Sequence, residues 1–191
     1  MPLPTPCAIT LALCTGPGPQ TLRNGGNGGV STPRLRRADA GRNREVQDQA
    51  DHRARRGEGK DYDAVITSVE HLRSSFPLWG WPPDDLTLEQ NLIDLGWHQK
   101  EFQLRSSFDY AAMSPDEKRL LGCVYIDPPE KAGADAEIAF WVRADEIETG
   151  LETALEETVR RWVAGDWPFE RAVYPGRDLR WEEWDALLDR E

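Results

Sequence analysis

One stretch, Asp135 to Val163 (DAEIAFWVRADEIETGLETALEETVRRWV), limits what this chain can fold into more than any other. Its first half alternates, with Ala136, Ile138, Phe140 and Val142 on one face and Glu137, Ala139, Trp141 and Arg143 on the other, which is the period of a strand. From Leu151 the period becomes helical. Leu151, Ala154, Leu155, Thr158, Val159 and Trp162 share a side, with Glu152, Glu156 and Glu157 early and Arg160 and Arg161 late, the order a helix macrodipole favours. Gly165 and Pro168 end the pattern. A strand that passes through a glycine turn into a helix leaves backbone N–H groups unpaired at the helix start, an arrangement suited to an anion such as a phosphate.

The surrounding segments predict a mixed α+β domain. Tyr62, Val65, Ile66, Val69, Leu72 and Phe76 make a helical stripe that Pro77 closes, followed by the aromatic loop Leu78 to Asp85 with Trp79 and Trp81. Those two tryptophans are expected to cap the core rather than line a substrate entrance. Thr87, with Gln90 three residues on, reads as a capping box opening a second helix, with Leu88, Leu92, Ile93 and Leu95 as its apolar side and Gly96 weakening its end. His71 and His98 fall on or near these helices with no evident partner in sequence, so either could serve as a base, although packed or exposed histidines are commoner.

Alternation predicts a strand from Phe102 to Met113, a turn at Ser114-Pro115-Asp116-Glu117, and a second strand over Lys118 to Asp127 that is apolar enough to be buried on both faces. A short strand, Phe169 to Tyr174, and a last helix, Trp181 to Leu188, complete the reading. No internal repeat is visible.

Residues 1–60 differ in kind. They are rich in Gly, Pro, Arg, Asn and Gln, hold no Trp, Tyr or Phe, and cannot bury enough surface to offset ordering entropy, so a disordered tail is expected before a domain over 61–191. This tail carries a positive balance within a chain of net charge −11, leaving the domain strongly acidic. That balance argues against nucleic-acid binding by the folded part. Arg34 to Arg56 could touch an acidic polymer but lacks interleaved aromatics. Cys7, Cys14 and Cys123 form no disulfide framework and have no metal-ligand spacing with the three histidines, so no metal is expected. No run reaches the length of a membrane span, and the apolar Cys7 to Cys14 lacks a preceding basic region, so a cytoplasmic location with no membrane contact is the expectation.

From Phe102 to Arg177 the order of elements resembles the GNAT (GCN5-related N-acetyltransferase) superfamily. The resemblance rests on the strand Leu120-Leu121-Gly122-Cys123-Val124-Tyr125-Ile126, similar to that family's third strand, then a fourth strand, a turn and a long helix, then a fifth strand. It covers about two thirds of the chain. The family's turn reads Gln or Arg, two residues, Gly, one residue, then Gly or Ala; the corresponding positions are Ile147, Gly150 and Glu152, of which the middle one matches. Glu146, Glu148 and Glu152 bring negative charge to that turn, which Arg143 would partly offset.

The resemblance implies a GNAT-like fold, a mixed, mostly antiparallel sheet flanked by helices, in which acetyl-CoA lies where the fourth and fifth strands splay apart. Its arm would pair with Phe140, Trp141, Val142 and Arg143, and its pyrophosphate would sit on the turn at Thr149, Gly150 and Leu151. The implied activity is transfer of an acetyl group to a primary amine on a small molecule or peptide, and the acidic domain favours a cationic acceptor. Glu137 is the preferred base, with Tyr125 and Tyr174 as candidates to return a proton to the leaving thiolate. The family tyrosine on the final helix has no counterpart here, nor does Arg53 to Lys60 have the character of the family's opening strand. The alternative is a module of the same fold that binds a ligand or partner without catalysis. Cys123, flanked by apolar residues, reads as core.

Overall fold

A computed structural model describes residues 10–13 and 59–190. Within them a sheet of five strands has the spatial order β1 (Thr10–Leu13), β2 (Phe108–Met113), β3 (Leu120–Asp127), β4 (Ala136–Val142) and β5 (Ala172–Val173). The first four strands pair antiparallel and β5 joins β4 parallel. The helices are α1 (residues 59–66), α2 (Val69–Ser75), α3 (Leu88–Leu104), α4 (Leu151–Asp166) and α5 (Trp181–Asp185). The chain is thus α+β, with the mixed, mostly antiparallel sheet flanked by helices that was expected.

The alternation of β4 becomes two cores, because both faces of the strand are covered. Ile138, Phe140 and Val142 pack with Leu155, Val159 and Val163 of α4. Ala139 and Trp141 pack on the other face with Val65, Leu72, Trp181 and Trp184 from α1, α2 and α5. Gly122 of β3 makes the close approach of these strands possible, since a Cβ there would lie 1.9 Å from the Trp141 carbonyl oxygen. The capping box at Thr87 and Gln90 forms with both of its hydrogen bonds. The Ser114 turn closes through Glu117 N–H to the Ser114 carbonyl.

Four expectations are corrected. The stripe from Tyr62 to Phe76 is two helices, broken at Thr67 and Ser68. There the Ser68 hydroxyl accepts from Ala144 N–H at 3.0 Å and the Thr67 hydroxyl accepts from Arg143 Nη2 at 2.9 Å, which bolts the break to the end of β4. The predicted strand from Phe102 is helix as far as Leu104. α3 runs through Gly96 to a left-handed cap at Arg105 (φ 59), and only Phe108 to Met113 is extended. Phe102 faces Phe108 and Tyr110 edge-on, so its apolar side serves the helix while still matching a strand's alternation. Leu88 and Ile93, assigned to the buried side of α3, are exposed, and the helix buries Asn91 and Phe102 instead. Within the expected disordered tail, Thr10–Leu13 is a strand on the edge of the sheet, pairing Thr10 with Met113 through Leu13 with Tyr110. Residues 59 and 60 of that tail already belong to α1, and the rest of it, including the Arg-rich segment, lies outside the described residues.

Candidate functional site

β4 and β5 stay together for two residue pairs, Ala136 with Ala172 and Glu137 with Val173. Beyond them the chain turns through Pro175 and Gly176, while β4 continues to Val142. Among the described residues no strand pairs with Ile138 to Val142 on that side. A narrow slot of about 150 Å³ marks the divergence, lined by Ala139, Phe140, Gly176 and Arg177, with Phe76 and Glu152 at its two faces.

Arg177 lines this slot. Its guanidinium lies 3.9 Å from the Phe140 ring centroid and donates to Glu152 Oε1 at 2.7 Å, to Glu156 Oε2 at 3.1 Å and, at 3.5 Å, to the Phe140 carbonyl. The turn into α4 follows. Gly150 takes a φ of +83, a left-handed conformation costly for a residue with a Cβ. The Thr149 hydroxyl accepts from Leu151 N–H at 3.3 Å. The cations around the turn are already committed to carboxylates: Arg119 pairs with Asp145 and Glu146. Arg143, expected to offset the glutamates of the turn, bonds Asp63 at 2.8 Å, fastening α1, while its Nε lies 3.5 Å from Asp145 Oδ1 at the start of the turn. Of the four residues expected to pair through their backbone with the cofactor arm, Phe140 turns its carbonyl to the slot, the Trp141 side chain is buried on the α1 and α2 side, the Val142 side chain is buried under α4 and the Arg143 side chain bonds Asp63.

Glu137 lines a larger cavity, of about 520 Å³. The sheet supplies its floor in two cross-strand rows. Asp109 of β2 stands opposite Tyr125 of β3, and Asp127 of β3 stands opposite Glu137 of β4. Side chains in such register are close neighbours. α3 contributes Asp94, His98 and Glu101, and the aromatic loop contributes Trp79 and Trp81. Both tryptophans cap the core as expected, Trp81 packing against the α1 and α2 cluster and Trp79 stacking on Phe76 at 4.1 Å, and both also line the cavity.

Burial, reinforced by Glu130, pushes the Glu137 carboxyl up to about 7, against a backbone hydrogen bond from Glu130 that pulls it down. Burial also lifts Asp127 to about 7, with Asp109 and Glu137 adding to the shift and a hydrogen bond from the Ser107 hydroxyl opposing it. Two facing carboxyl groups thus sit near their midpoint at neutral pH. His98 does the reverse. Burial disfavours its charge, but Nδ1 lies 2.6 Å from Asp109 Oδ2 and Nε2 lies 3.5 Å from Asp94 Oδ2, and these contacts hold the imidazole well above its usual range. Those two carboxylates favour its charged form. Trp141 Nε1 donates to the Tyr125 hydroxyl at 3.1 Å, which fixes the phenol on the cavity wall.

Of the expected catalytic residues, the structure brings Glu137 and Tyr125 to one cavity. Tyr174 is elsewhere: it belongs to the cluster under α4, Arg160 lies over its ring at 4.1 Å, and burial pushes its hydroxyl up to about 12. Cys123 is buried on the α1 and α2 side, as a core residue. Asp94, Asp109 and Asp127 escaped the sequence reading, which named His98 as a possible base without a partner. The available signal was two aspartates within or ending apolar strands, where a charge has to be used or neutralised.

No family model matches the chain, and no curated protein does. Among solved structures, a protein named as a GNAT-family acetyltransferase from Bordetella pertussis aligns at 15% identity over 50% of this chain and 63% of its own, with a TM-score of 0.34. A ribosomal-protein-S5-alanine acetyltransferase from Vibrio fischeri aligns at 16% identity over 55% of this chain and 61% of its own, with a TM-score of 0.35. The chain spans less than two thirds of the length of either. Among the described residues no helix is long and apolar enough to cross a membrane.

Proposed function

We propose that the chain is an N-acetyltransferase that moves an acetyl group from acetyl-CoA to a primary amine held in the acidic cavity. One observation carries this reading: Glu137, a carboxyl group held near 7, sits on β4 at the last pair before β5 diverges, so a base faces the cavity beside the point where the strand's other edge opens. The slot suits a narrow chain pairing with strand backbone, since the Phe140 carbonyl meets only the long Arg177 contact there. Phe140 to Val142 would hold the arm, and the N–H groups after Gly150 would face the diphosphate. Acetyl-CoA supplies an activated thioester when bound. The protein positions the ammonium against Asp127 and Glu137, and Glu137 removes its proton, for which a pKa near the working pH is the best compromise between being ionised and being basic. Tyr125, oriented by Trp141, is placed on the same wall to return a proton from its hydroxyl.

A second reading draws on the Arg177 cluster. Glu152 stands in the first turn of α4 and ties Arg177 across the slot, so acidic and basic partners already satisfy one another where a diphosphate would go. In that reading the cavity binds its amine without acyl transfer. Incubating the full chain with acetyl-CoA and a panel of primary amines separates the two. Amine-dependent release of the CoA thiol, with the acetylated amine identified by mass spectrometry, is the expected result; amine binding with no thiol release over hours would favour the silent module.

A further inference from the structure

We infer that the cavity is shaped for a flexible aliphatic amine bearing at least two ammonium groups, held by Asp94, Asp109, Asp127 and Glu137 with its methylene chain against Trp79 and Trp81. Its role as the acetyl acceptor rests on the reading above; the cation site itself does not.

Charge gives the first argument. Carboxylates reach the cavity from α3, from β2, from the end of β3, from the loop after it at Glu130, and from β4. Among the lining residues the only cation is His98, and Asp109 and Asp94 already hold it. A single ammonium would leave most of this negative charge unanswered. Spacing gives the second. Among the described residues no three His, Cys, Asp or Glu side chains converge as ligands of one metal ion, so the charges are distributed around the cavity instead of focused on a point. An extended cation with separated charges fits that distribution. The third is an unused acceptor: Asp109 is 1% exposed and lines the cavity, its Oδ2 lies 2.6 Å from His98 Nδ1 without a hydrogen bond, and its Oδ1 has no partner. Buried carboxylate oxygens are normally satisfied, and an ammonium N–H would satisfy this one. The aromatic walls complete the site, since indole faces attract ammonium groups and cover methylene chains.

Binding is also linked to protons. Asp127 and Glu137 stand opposite each other, and burial holds both near 7, with Asp109 and Glu137 adding to the shift of Asp127 and Glu130 to that of Glu137, while His98 pulls Asp127 and Lys131 pulls Glu137 the opposite way. An arriving ammonium favours both carboxylates and expels the protons they share. Affinity therefore rises with pH through about 7.

The test uses the full chain with linear diaminobutane as probe and aminobutane, of equal carbon length, as control, by calorimetry in the absence of any CoA compound. The expected result is at least tenfold tighter binding of the diamine, weakened severalfold in Asp127→Asn and in the surface variant Glu130→Gln. The diamine is also expected to raise the melting temperature more at about pH 8 than at about pH 5. Equal affinity for the two amines, or diamine binding indifferent to both substitutions and to pH, would overturn the inference. Diamine preference in a protein that binds no acetyl-CoA would uphold the cation site and remove the acetyl-transfer reading, whereas acetyl-CoA binding without diamine preference would remove the inference alone.

Discussion

Replacing Glu137 by Gln is expected to lower kcat/KM for the amine by about 10²- to 10⁴-fold, the range for removing a positioned general base. The same change is expected to abolish the rise of activity with pH. In the native protein the carboxyl is held at about 7, chiefly by burial, so it is protonated and inactive as a base below that point and competent above it. Activity should climb through about pH 7, and the variant's residual rate should lack this inflection. The stability consequence has the opposite sign. A carboxyl group whose folded pKa is raised contributes stability that is complete below its unfolded value and is lost as pH rises through the folded value, here between about 4 and about 7. Glu137→Gln should therefore melt higher than the native protein at about pH 8 and match it at about pH 4. A variant that loses activity while gaining stability identifies a residue kept for chemistry and not for folding. Equal pH profiles for the two proteins would remove Glu137 from the mechanism.

Gly122→Ala is expected to cost about 3 to 5 kcal/mol of stability, with an unchanged denaturant m-value. The added Cβ would lie 1.9 Å from the Trp141 carbonyl oxygen and 2.9 Å from the Trp141 carbonyl carbon and the Val142 Cα. These are backbone atoms in a strand buried on both faces, so relief requires β3 and β4 to part. Parting them shifts Trp141, whose indole holds the Tyr125 hydroxyl, and the strand that carries Glu137. Against a typical margin of about 5 to 15 kcal/mol, the variant should unfold at markedly lower urea concentration, and little loss there would mean that the strands are not so closely apposed.

The sequence disclosed the frame because the frame is written in periods. Alternation over Ala136 to Val142, the change to helical spacing at Leu151 and the cap at Thr87 are local signals, and each element formed where its pattern lay. Boundaries failed where one residue satisfied two patterns: Phe102 suits an alternating strand and the buried side of α3 equally well. β1 was illegible for another reason. Its four residues lie in a short apolar run far from β2 in sequence, ahead of a long glycine- and arginine-rich stretch, and only their non-local pairing shows them as part of the sheet. Glu137 and Tyr125 were named from the resemblance to the GNAT strands, and the fold brings both to one cavity. The carboxylates that surround them, Asp109 and Asp127, and the partners of His98 were hidden, since they come from cross-strand register and from the return of α3 over the sheet. The fate of Arg177 was likewise hidden. Only the folded chain shows it crossing from the loop after β5 to Glu152 and Glu156.

The most direct test of the account is backbone hydrogen exchange of the full chain with and without acetyl-CoA. If acetyl-CoA lies along the open edge of β4 with its diphosphate at the turn, amides in residues 138–143 and 150–153 should exchange more slowly when it is present, and Gly150→Glu should abolish the effect. A folded protein whose amides in those two segments are unaffected by millimolar acetyl-CoA would contradict the claim.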